Sequence, residues 1–423
     1  MIHISQIREN HEDIVRRLTK RGIDASSTMD SVLNADQNVR QLKHESETVQ
    51  AESNRLAKEI GMMFREGKRD EAEVLKSKTS QLKERSKELE AELETAASEL
   101  RELIVSLPNA PHESVPAGKT EDDNEILSTW GEEPSFDSEA VPHWELCKKY
   151  DLIDFELGVK ITGAGFPVYK GKGARLQRAL INYFLDNALE DGYLEIQPPI
   201  LVNEESGFGT GQLPDKEGQM YHATVDNLYI IPTGEVPITN IYRDVILNAN
   251  DLPQRNVGYT PCFRREAGSY GKDVRGLNRL HQFDKVEIVQ VVHPSTSYDV
   301  LENMQNYVQE LLQKLGLHYR VLRLCGGDLG FTSALTYDME VYSGAQNKWL
   351  EVSSISNFES FQANRLKLRF RDEDGKPQLA HTLNVSALAL PRIVACILEN
   401  NQTAEGIVMP EVLRPYLGFD IIK

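Results

Sequence analysis

Between Cys262 and Val289 the chain reads CFRREAGSYGKDVRGLNRLHQFDKVEIV. Apolar and charged residues flank a glycine-containing middle, the pattern of two strands joined by a long loop. Arg264 and Glu266 stand two apart and so face one side of a strand. Arg279, His281, Phe283, Lys285 and Glu287 alternate likewise on the returning strand. One sheet face would thus carry two arginines, an aromatic ring and two carboxylates. Burying such a face is costly unless it holds a charged ligand. The plainer alternative is the solvated polar face of a hairpin, which has no need of His281, Gln282 and Phe283 in its midst. Glu351 taken alone has an equally plain reading, a carboxylate at a strand edge. Neither GxGxxG nor GxxxxGK followed by Ser or Thr occurs, so neither a Rossmann nor a P-loop nucleotide site is supported.

The elements that must position these residues have two textures. Ala35, Val39, Leu42, Ser46, Val49, Ser53, Leu56 and Ile60 are spaced alternately by four and three. The same alternation returns at Ala72, Leu75, Thr79, Leu82, Ser86, Leu89, Leu93, Ala96, Leu100, Leu103 and Leu107. Both are heptad seams. The break from Gly61 to Asp70 holds Gly61 and Gly67 and suits a reversal. The spacing predicts an antiparallel helical hairpin, each helix about 33 residues and roughly 50 Å long. A dimerisation coiled coil is the plain alternative. The segment 107–125, rich in Pro, Gly and acid, reads as a linker. Beyond it, strands are predicted at 194–202, 227–232, 257–265, 279–292, 319–325, 336–342 and 348–354. Helices are predicted at 173–190, 234–249, 296–315 and 391–402. The fold class is therefore α+β: a helical N-terminal arm (1–106), a linker (107–125) and a domain on a mainly antiparallel sheet (126–423).

Composition narrows the function. The 423 residues suffice for two or three domains. No apolar stretch approaches the ~20 residues of a bilayer span, and the opening MIHISQIRENHEDIVRRL lacks a signal peptide's apolar region, so a cytoplasmic protein without a membrane partner is expected. Cys147, Cys262, Cys325 and Cys396 are far apart, with no CxxC, and read as buried, reduced thiols; zinc-ligand spacing is absent. A net charge of −18 is wrong for a simple nucleic-acid binder, so DNA is not expected and any RNA must meet a local positive patch.

FRREAGSYGKDVRGLNRLHQFDKVE resembles motif 2 of the class II aminoacyl-tRNA synthetases in its seryl-specific form. QPPILVNEESGFGTGQLP (197–214) is similar to motif 1 and the loop after it, and PTGEVPITN (232–240) to the serine-binding Thr-x-Glu segment. LEVSSISNFESFQANR (350–365) is similar to the Glu-x-Ser-Ser strand, and HTLNVSALALPRIVACILENNQ (381–402) to motif 3. The hairpin at 30–107 is similar to the tRNA-binding arm of bacterial-type seryl enzymes. The resemblance implies ATP-dependent activation of serine, with the serine carboxylate attacking the α-phosphate, then transfer to tRNA(Ser) and also tRNA(Sec). A carboxylate needs no general base, so catalysis rests on positioning and on neutralising phosphates. Arginine's fork suits that task.

By the same resemblance Arg264 holds the α-phosphate and Arg392 the γ-phosphate. Phe283 stacks on adenine, with Arg279 on its other side or near the triphosphate, and Glu266 accepts from the adenine amino group. Arg265, Leu280, His281, Gln282, Val352 and Ser353 complete the ATP segments, and Glu351 and Ser354 hold Mg²⁺. Thr233, Gly234, Glu235, Glu287, Asn384 and Ser386 form the serine pocket, Glu287 and Ser386 reading the hydroxyl. A small pocket excludes threonine by bulk, and alanine would leave its polar groups unpaired. Motif 1, marked by Pro198 and Pro199, implies a homodimer. The family has three glycines in motif 3 where this chain has Val385, Ala387 and Pro391. The corner must then use ordinary β and helical geometry, with Val385 in the core and Pro391 in the first helical turn. This departure feeds one alternative, a non-catalytic relative. The others are a threonyl or prolyl enzyme, a carrier-protein ligase on the same fold, and a structural coiled-coil protein.

Overall fold

The computed structural model describes residues 1–136, 138–215, 218–266 and 275–423. The chain forms two compact units, one of Met1–Thr19 with Ile23–Pro108, the other of Lys20–Gly22 with Asn109–Lys423.

In the first unit, α1 (Ile4–Glu9) and α2 (His11–Thr19) precede two long helices, α3 (Ser26–Arg65) and α4 (Arg69–Ser106). Every heptad position named above is buried or half-buried, and the flanking positions are mostly exposed. Arg85 with Glu45 (2.9 Å) and Lys78 with Glu52 (2.8 Å) bridge the helices, their numbers running in opposite senses as antiparallel helices require. With 40 and 38 residues the helices exceed the predicted length. Gly61 lies inside α3, and Gly67 alone, at φ +80°, makes the reversal. One buried residue breaks the apolar rule. Asp36 is held by Arg8 (3.3 Å) and Arg40 (3.0 Å).

The second unit is built on an eight-stranded sheet. Its strands are β1 (Glu125–Trp130), β2 (Leu194–Glu195), β3 (Gln254–Phe263), β4 (Gln282–Val292), β5 (Tyr319–Arg323), β6 (Leu335–Ser343), β7 (Lys348–Asn357) and β8 (His381–Ala389), in spatial order β1-β5-β6-β7-β8-β4-β3-β2. All pairs are antiparallel except β2 with β3. The helices used below are α5 (His143–Lys149), α6 (Gly171–Glu190), α7 (Glu235–Asn240), α8 (Ser297–Lys314), α9 (Phe361–Leu366) and α10 (Leu390–Asn400). Apolar residues of α6, α8 and α10 pack on one sheet face with Val286, Ile288, Met339, Ile355 and Val385. Side chains alternate across a strand, so Lys285 and Glu287 stand on the other face, as do Asn384 and Ser386 of β8.

Several predicted elements needed correction. Strand 194–202 is split, because Pro198 and Pro199 cannot continue a ladder: Leu194–Glu195 joins the main sheet and Leu201–Val202 a smaller one. Helix 234–249 stops at Asn240; Asp244 takes φ +60°, and Ile246–Asn248 is a strand beside Arg369–Arg371. The strand pair around motif 2 is shorter than predicted, ending at Phe263 and resuming at Gln282. Arg264, Glu266, Arg279 and His281 therefore lie off the strands, and Glu266 takes φ +49°. The middle of that segment, 267–274, lies outside the described residues.

Candidate active site

Two buried carboxylates form the deepest part of the site. Glu235 opens α7, and Glu287 lies on β4 opposite Ser386 of β8. Asn384 Nδ2 donates to both, at 3.1 Å to Glu235 and 2.8 Å to Glu287. Gln362 of α9 donates to Glu235 Oε1 at 2.6 Å and itself accepts from Thr382 at 2.7 Å. Lys285 Nζ reaches Glu287 Oε2 at 2.6 Å and Thr233 Oγ1 at 2.9 Å, and Thr233 Oγ1 accepts from Glu235 N at 3.2 Å. Gly234 lies so close to Thr260 and Glu287 that an added Cβ would sit 3.0 and 3.2 Å from their atoms. Two carboxylates against one ammonium leave the pocket with one uncompensated negative charge. Burial, and then the neighbouring Glu287, push the Glu235 carboxyl up to about 7.

Towards the surface the site becomes basic. Arg264 N donates to His281 O (2.9 Å), its Nε donates to Pro232 O (3.3 Å), and its guanidinium lies over the Phe283 ring, 5.2 Å from the centroid. Arg279 pairs with Glu266. His281 stacks on Phe166 at 5.4 Å and meets the Tyr221 hydroxyl at 3.0 Å. Arg392, in the first turn of α10, donates to Asn278 O at 3.1 Å and to Glu351 O at 2.6 Å. Arg265 and Gln282 are exposed, whereas Leu280 and Val352 turn their side chains into the core. Ser353 is also buried and donates to Ser386 O at 2.6 Å.

A bulge explains how Glu351 and Ser354, three residues apart, share a face. Ser353 pairs with Met339 and Glu351 with Glu340, leaving Val352 as the extra residue. Asp338, opposite Ser354, and Glu340 lie on the same face. Asp338 Oδ1 has no hydrogen-bond partner, and burial followed by the Glu351 carboxylate holds its carboxyl well above the usual range. These hard oxygen donors fit Mg²⁺. Among the described residues no three His, Cys, Asp or Glu side chains are grouped to hold a metal on their own.

Val385 is buried in the core and Pro391 lies in the first turn of α10, as predicted. None of Val385, Ala387 and Pro391 takes a positive φ; the one departure from ordinary geometry is a cis Ala387–Leu388 peptide. The site thus brings together Thr233, Glu235, Glu287 and Asn384 in one hydrogen-bonded set, and Arg392 with Glu351 in another. Gln362, Lys285, Asp338 and Tyr221 were missed as site residues. Lys285 was the most accessible of them, since its alternation with Phe283 and Glu287 marks its face.

Residues 1–111 match the model of the seryl-tRNA synthetase N-terminal domain, and residues 220–401 match that of the tRNA synthetase class II core domain (G, H, P, S and T). The chain is 52% identical over 421 residues to a serine–tRNA ligase of Salinibacter ruber, covering 99% of this chain and 98% of that one. It is 47% identical to the Geobacter sulfurreducens serine–tRNA ligase, covering 99% of both. The solved seryl-tRNA synthetase of Pyrococcus horikoshii, complexed with ATP, superimposes with a TM-score of 0.94 at 35% identity, covering 100% of this chain and 99% of that one.

Proposed function

The chain belongs to the seryl-tRNA synthetase family of class II serine–tRNA ligases, and from that premise we propose how its residues divide the work. The buried Glu235–Asn384–Glu287–Lys285 set carries the reading. Its missing positive charge is supplied by the ammonium of serine, and Glu287 with Ser386 reads the hydroxyl. Threonine's methyl has no room, and alanine leaves these buried groups unpaired.

With the ammonium anchored, the serine carboxylate points outward to Arg264. Arg264 holds the ATP α-phosphate and Arg392 the γ-phosphate, each guanidinium neutralising charge as pyrophosphate leaves. Phe283, partly buried and with Arg264 over its ring, stacks on adenine. Glu266 accepts from the adenine amino group, and its pairing keeps Arg279 beside the nucleotide. Glu351 and Ser354 would hold Mg²⁺, with Asp338 opposite Ser354, and the cation would supply charge neutralisation on the triphosphate. Residues 126–423 catalyse, 107–125 connect, and the arm in 1–106 binds tRNA(Ser) and tRNA(Sec). The enzyme works as a cytoplasmic homodimer. Among the described residues no helix is long and apolar enough to cross a membrane.

Amino-acid-dependent pyrophosphate exchange tests the reading. Serine alone should drive strong exchange, and Arg264→Ala should reduce it by at least about a hundredfold, the scale of losing a transition-state donor. Equal exchange with threonine or alanine would sink the pocket assignment.

A further inference from the structure

We infer that His143, backed by Glu399, is a positioning residue for ATP, fixing residues 276–279 and through them Arg392 and Arg279; this rests on the nucleotide roles given above.

His143 opens α5 and is fully buried, as is Glu399, which lies on α10 two turns beyond Arg392. The ring Nδ1 is 2.6 Å from Glu399 Oε1. Glu399 also accepts from the His143 backbone (2.9 Å), from Gln346 Nε2 (3.0 Å) and from Ser343. On the far side of the ring, Nε2 lies 2.8 Å from Leu277 N. A backbone amide can only donate, so Nε2 carries no proton. The ring is therefore the neutral tautomer with its proton on Nδ1, directed at Glu399.

Leu277 precedes the residue that Arg392 needs. Asn278 O accepts from Arg392 Nε, and Asn278 Nδ2 donates to Gln346 Oε1 at 2.8 Å. Gln346, itself half-buried, in turn donates to Glu399, closing a ring of hydrogen bonds that runs from His143 through Leu277 and Asn278 and back. Gly276, at φ +67°, lies flush against the imidazole: a Cβ there would be 2.2 Å from Nε2. Trp144 and Glu145 extend the grip to Arg275, the first by its ring at 4.6 Å, the second by an ion pair at 3.3 Å. A histidine present only to satisfy Glu399 would have no use for an acceptor aimed at this segment.

Two substitutions separate the two roles. His143→Asn keeps a donor near Glu399 but has no acceptor that reaches Leu277. His143→Gln carries an acceptor out to the Nε2 position and gives Glu399 no ring donor. Exchange is measured with ATP and serine varied independently, beside urea midpoints. The expected result is a tenfold or greater rise in KM for ATP in His143→Asn, serine KM within twofold, and recovery to within threefold of the native ATP KM in His143→Gln. Gly276→Ala leaves the pair chemically intact but displaces the segment, and should show the same ATP-selective rise even if His143→Asn does not fold. A native ATP KM in His143→Asn or Gly276→Ala, or a Gln variant more damaged than the Asn variant, overturns the inference. Absence of serine-dependent exchange in the native protein would instead strike the functional reading.

Discussion

Glu235 carries the charge that the pocket controls most tightly. Its carboxyl is raised from an unfolded value near 4.5 to about 7, so the folded protein holds a proton there that the unfolded chain has lost. Its contribution to stability is present below about pH 4.5 and lost as pH rises through about 7. Serine binding runs the other way, because the ammonium needs the ionised carboxylate. KM for serine should therefore rise about tenfold between pH 8 and pH 6, each pH unit below the pKa being a factor of ten, with KM for ATP nearly constant. In Glu235→Gln it should be high and flat. A flat native profile would remove ionised Glu235 from ammonium binding. The sequence shows Glu235, Glu287 and Asn384 through the segments that contain them. Gln362 is invisible there, because its meaning lies in reaching both Thr382 and a carboxylate 127 residues away in the chain.

The helical arm was legible because a two-helix seam has one long, unbroken period. The interruption was less so: Gly61 continues a helix whose neighbours favour it, and only the residue with positive φ turns the chain. Strand β1 escaped notice for the opposite reason. All six of its residues are exposed, so no apolar alternation marks it inside a stretch rich in Pro, Gly and acid. Seven basic residues flank the turn of the arm between positions 55 and 78, and as candidate tRNA contacts they are not equivalent. Lys68, Lys76 and Lys78 are held by Glu66, Glu73 and Glu52 at 2.8, 3.1 and 2.8 Å, and Arg55 lies near Glu52. Lys58, Arg65 and Arg69 make no ion pair among the described residues. With about three cations at hand, log affinity for tRNA(Ser) should fall with log salt at a slope near −3. Deleting 31–106 should spare serine-dependent exchange and lower aminoacylation at least about a hundredfold. Unchanged charging would make the arm structural only.

For the whole molecule, the sheet ends at β2 on an open edge. Leu194 there is 62% exposed, and Ile200 and Leu201 are exposed nearby in sequence. A cavity of about 580 Å³ lined by Tyr169, Gln177, Arg178, Glu195, Tyr259 and Asp284 opens beside it. An exposed apolar edge of this kind is a template for pairing with another chain. Light scattering at micromolar concentration should give twice the 47.8 kDa of one chain. Leu194→Asp combined with Leu201→Asp should shift that mass towards the monomer, and a monomeric native protein would contradict the reading. The four thiols have a separate consequence. All lie in the catalytic unit, all are buried, and burial raises the pKa of Cys147, to about 12, and those of Cys262 and Cys396. A thiol reacts as its thiolate, so an alkylating reagent finds almost nothing to attack until that unit opens. The arm has no cysteine at all. Alkylation therefore acts as a clock built into one half of the chain, counting openings of the catalytic unit and silent to every excursion of the arm.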